Sequence, residues 1–143
     1  MDGGRFQCRL QNHLQSRNRK VVKKHYLADV GLRNILLGKN VFQDIVSILE
    51  NVVYLELLRR GNNVWIGKYG ESEVDFVTRS EIGEQAYYQV AYTAKETAAK
   101  QRELRPLQQI KDNYPKYLLT TDEYELETEG IKILNIAKWL LEN

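Results

Sequence analysis

At 143 residues, with 43% hydrophobic and 28% charged side chains, the chain has the size and balance of one globular domain that needs no staple. A single cysteine, Cys8, excludes an internal disulfide, and no apolar run reaches membrane-spanning length, so the expected setting is the reducing cytoplasm. The formal charge of +2 conceals an asymmetry: residues 1–28 hold seven basic residues and one acid, a local +6 that leaves residues 29–143 at −4.

Residues 1–20 are polar, include Gly3 and Gly4, and show no sustained period, so they are expected to be a flexible basic arm ahead of a domain over 21–143. The arm is open to two readings, an electrostatic attractor for nucleic acid or a solvated connection. The absence of interleaved aromatics over residues 7–24 removes the stacking signal that goes with the first. No apolar core of a secretory signal follows Met1.

The stretch VVKKHYLADVGL reads as a short strand entering a turn, and LRNILLG as a short helix stopping at Gly38. The longest helix is expected over 41–60, where Phe42, Ile45, Val46, Leu49, Val52, Val53 and Leu57 recur at three- and four-residue spacing. Arg59, Arg60 and Gly61 supply a favourable end charge and a stop, while Glu56 reads as a surface charge.

Three strands follow, NVWIG, SEVDFVTR and QAYYQVAYT, separated by turns of hairpin length. Thr93 and Glu96 have capping-box spacing ahead of a helix over about 94–113, which Pro106 interrupts. YPKYLLTTD and GIKILNI read as strands, and AKWLLEN as a terminal helix. The expected fold is therefore α/β, a mixed sheet flanked by helices, in the order helix, strand, strand, strand, helix, strand, strand, helix.

Chemistry concentrates at Glu50, Asp75, Gln89 and Ala91. Strict alternation along EVDFV puts Val74 and Phe76 on one side, and Asp75 with Val77 on the other. Tyr87, Gln89 and Ala91 share a face of the next strand, and Glu50 borders the buried stripe of the long helix. A helix glutamate, a strand aspartate and two positions spaced i, i+2 on the following strand form a pattern that resembles the PD-(D/E)XK nuclease superfamily. In more detail, the ordered segments YLADVGLRN, LENVVYLELLRRG, VWIGKYGESEVDFV, YYQVAYT, REL-x-PL-x-x-I, DNYPKYLLT and GIKILNIAKWLL look like a domain of unknown function. That domain follows the ATPase and winged-helix parts of many prokaryotic AAA-family proteins. The resemblance covers residues 20–143 and implies a restriction-endonuclease-like fold.

Carried across position by position, Glu50 takes the helix-glutamate role and Asp75 the metal-aspartate role. Gln89 stands where the second acid belongs, and Ala91 where a lysine belongs. Magnesium needs hard, preferably anionic oxygen ligands, and phosphodiester attack needs a metal-activated water. Gln89 brings no charge and Ala91 no ammonium, so the implied catalytic and metal set, Glu50, Asp75 and Gln89, is degenerate. Lys68 and Lys95 are the cations that could replace the missing lysine.

Beside this stands a plainer reading. Asp75 is a paired strand residue, Glu50 a salt-bridging one, Tyr87, Tyr88 and Tyr92 strand packing, and Trp65 and Trp139 core anchors. Cys8, His13 and His25 lack zinc spacing. The chain has no GxxxxGK[ST] segment, so nucleotide hydrolysis by that route is excluded. Three functions remain: a non-catalytic nuclease-fold module binding nucleic acid or protein, a magnesium-dependent DNA endonuclease, and an assembly or regulatory domain for an ATPase. The expected partners are thus DNA, an ATPase or a second copy of the chain, with no membrane.

Overall fold

The computed structural model describes residues 7–10 and 45–142. Along this part of the chain run β1 (Gln7–Leu10), α1 (Ile45–Arg59), β2 (Asn63–Tyr69), β3 (Ser72–Arg79), β4 (Gln85–Val90), α2 (Thr97–Gln109), β5 (Lys116–Thr120), β6 (Leu126–Thr128), β7 (Ile131–Asn135) and α3 (Ile136–Leu141). All the strands belong to one mixed sheet with the order β1-β2-β3-β4-β5-β7-β6. The first four pair antiparallel, β4, β5 and β7 run parallel, and β6 returns antiparallel beside β7.

Helices cover both faces, which is why the central strands are apolar on both sides. On one face Val53 and Leu57 of α1 and Ile136 and Trp139 of α3 pack with Phe76, Val90 and Leu119. On the other, Leu104 and Leu107 of α2 pack with Tyr87, Ala91, Leu118, Ile131 and Ile133. The alternation is visible within β5, where Leu118 and Leu119 enter opposite cores. Stacking of Tyr88 on Tyr117 at 4.9 Å and of Tyr54 near Phe76 at 6.1 Å fills the α1 side with aromatic surface.

β3 breaks the strict alternation. Its register against β2 runs Trp65↔Val77 and then Gly67↔Val74, so β3 carries one extra residue in the stretch containing Asp75 and Phe76. Val74 and Val77 consequently fall in the same core, under α2, while Phe76 enters the other. The period-two reading that grouped Val74 with Phe76 fails at this bulge, which nothing in EVDFV announces.

Other departures have identifiable causes. The 97–109 helix is shorter than expected, and Thr93 does not cap it: its hydroxyl donates instead to Asp122 at 2.8 Å. Glu96 occupies the N-cap without a side-chain bond, and the helix continues through Pro106 at the loss of one backbone donor. Three strands follow α2 where two were expected, because the three-residue β6 is too short to display a period. Gln7–Leu10, read as part of the polar arm, pair with β2 as an edge strand. The strand and helix expected over 21–38 lie outside the described residues.

Glu56, read as a surface charge, is buried at the end of α1. It accepts two bonds from Arg59, at 2.7 and 2.8 Å, and one from Arg60 at 2.7 Å. Arg60 also donates to the carbonyls of Trp139 and Glu142 and lies 4.3 Å from the Trp139 ring centroid, so this charge cluster ties α3 to α1. The Arg59 bonds hold the Glu56 carboxyl well below its usual 4.5, at about 2, against an opposing push from burial, with Arg60 adding to the depression. A depressed folded value stabilises fully above the unfolded value and is lost on acidification through the folded one. Stability is therefore expected to fall as pH drops from 4.5 towards 2. Glu56→Gln should flatten that dependence and cost about 2 kcal/mol at pH 7, as read by urea denaturation across the two pH values.

Candidate functional site

Local turns bring the singled-out residues towards one end of the sheet. α1 stops at Gly61, which adopts the positive φ of +78° that terminates helices readily, and β2 starts two residues later and packs on α1. The chain reverses there, so the N-terminal half of α1, with Glu50, lies towards the far end of β2. β4 runs in the same direction as β2, since both oppose β3, and its far end carries Gln89 and Val90. Glu50 precedes Val53 and Leu57 by three and seven residues and so shares their buried stripe, itself half-buried.

Asp75 and Gln89 meet directly. The Asp75 amide donates to Gln89 Oε1 at 3.3 Å, and the Val90 amide donates to Asp75 Oδ2 at 2.9 Å. β3–β4 pairing ends at Phe76↔Tyr88, and these two side-chain bonds continue the connection where the backbone ladder stops. Both residues are buried, at 6% and 9% exposure, so each bond is made away from bulk water, where an unmade one is costly. The bulge supplies the geometry, because the extra residue turns the Asp75 amide and carboxylate towards β4.

Gln89 leaves β4 with the parity of Tyr87 and Ala91, both in the core under α2, whereas Glu50 belongs to the helix on the opposite face. Ala91, where the lysine was expected, is itself an apolar core residue at 5% exposure, packed with Ala94, Leu104 and Leu118. Lys68 is exposed on β2 in register with Glu73, and the Lys95 ammonium lies 3.8 Å from Asp122. Among the described residues no three His, Cys, Asp or Glu side chains form a metal-holding group. The Gln89 oxygen accepts from the Asp75 amide, and the position where a lysine was expected lies inside hydrophobic packing.

Sequence reasoning missed Asp122. It is 3% exposed at the carboxyl end of β5, beside the ends of the parallel neighbours β4 and β7, where open α/β sheets place their polar crevices. Its carboxylate accepts from the Thr93 hydroxyl at 2.8 Å and the Ala94 amide at 2.7 Å, and Asn135 Nδ2 donates to its carbonyl at 2.8 Å. Burial pushes its carboxyl up, but the Ala94 and Thr93 bonds and the Lys95 charge outweigh it, leaving the net shift downward. The signal available in advance was an acid immediately after the apolar run YLLTT. Its role here is to anchor the β4–α2 connection. The Tyr88 hydroxyl, pushed up to about 12 by burial, stays protonated within the aromatic packing.

No family model matches the chain, and no solved structure matches it. It is 40% identical over 124 residues to a Haemophilus influenzae protein described only as uncharacterized, a match covering 86% of this chain. The chain spans 30% of the length of that relative.

Two outcomes check this geometry. Gln89→Glu sets a second carboxylate against buried Asp75, and is expected to lower the melting temperature at neutral pH by about 5 °C or more in a chelator. An unchanged melt contradicts the contact. Asp122→Ala removes the acceptor for two donors and should cost about 3 kcal/mol in urea unfolding, with the Ala94 amide losing hydrogen-exchange protection.

Proposed function

We propose that this chain is a nuclease-fold module of the kind that follows the motor of prokaryotic AAA-family ATPases, with its cation chemistry lost and its role reduced to binding. The carrying observation is the Asp75–Gln89 contact, in which the oxygen that a second acid would offer to a metal is taken by the Asp75 amide. The order α1-β2-β3-β4-α2-β5, an antiparallel meander joined through a helix to a parallel strand, supports the restriction-endonuclease-like reading. The length of the Haemophilus influenzae relative, of which this chain matches 30%, suits a module within a larger cytoplasmic protein.

A magnesium-dependent DNA endonuclease using Glu50, Asp75 and Gln89 is the competing enzymatic reading, and it needs the three to act as one ligand shell. Opposite-face placement of Glu50 and Gln89 weighs against it. A regulatory or assembly domain, docking on an ATPase or a second copy, keeps the same non-catalytic chemistry with a protein partner.

The deciding comparison is nicking of supercoiled plasmid in millimolar magnesium or manganese by the wild type and by Asp75→Asn. No difference between them is expected. Cleavage that disappears in Asp75→Asn would replace the binding module with the endonuclease.

A further inference from the structure

We draw no further inference here: the strongest candidate, the row of exposed acids Glu123, Glu125, Glu127 and Glu129 beside and along the edge strand β6, is an acidic cluster whose Glu125 and Glu129 already meet Lys138 and Gln108, and nothing in the structure shows what covers it.

Discussion

Where β3 and β4 stop pairing through their backbones, two side-chain hydrogen bonds take over, and much of the molecule's character depends on them. Asp75 offers its amide to Gln89 and its carboxylate to the Val90 amide. A pair of acids at these positions would repel unless a cation lay between them. An acid with a glutamine satisfies its neighbours without one.

The supporting architecture follows from the same region. The bulge that turns Asp75 towards β4 also sends Val74 and Val77 to the α2 core and Phe76 to the α1 core. It thereby lets one strand furnish apolar contacts to both helical layers while carrying a buried polar side chain. Further along the same edge, Asp122 and Asn135 secure the ends of the parallel strands, and Glu56 with Arg60 fastens α3 to α1 at the helix terminus. Asp75, Asp122, Asn135 and Glu56 are placed where regular backbone pairing ends, which is where unmet donors would otherwise accumulate.

Much of the element order was legible because it rests on periodicity. The stripe through Val53 and Leu57 marked α1, and alternating segments marked β2, β3, β4, β5 and β7. Asp75 and Gln89 were legible as a pair through their spacing against a known pattern, and the structure brings them together. Ala91 and Glu50 were legible as positions but not as geometry, because their faces depend on how three layers stack. The bulge was hidden, since an inserted residue leaves no mark on the hydrophobic alternation of EVDFV. Glu56 misled for a different reason: local spacing suits it to solvent, and only the two arginines with the distant Trp139 carbonyl make its burial favourable. Asp122 acquires its partners from Thr93, Ala94 and Asn135, all distant in sequence, so its place after YLLTT hinted at a strand-end acid but not at what it holds.

The most direct examination of the central claim is paramagnetic broadening of backbone amide resonances by millimolar manganese. The Val90 and Asp75 amide signals are expected to keep their intensity and their slow exchange with solvent, as bonds closed within the protein require. Selective disappearance of those two signals at low manganese concentration, ahead of signals from surface carboxylates, would show a cation seated between the strands and contradict it.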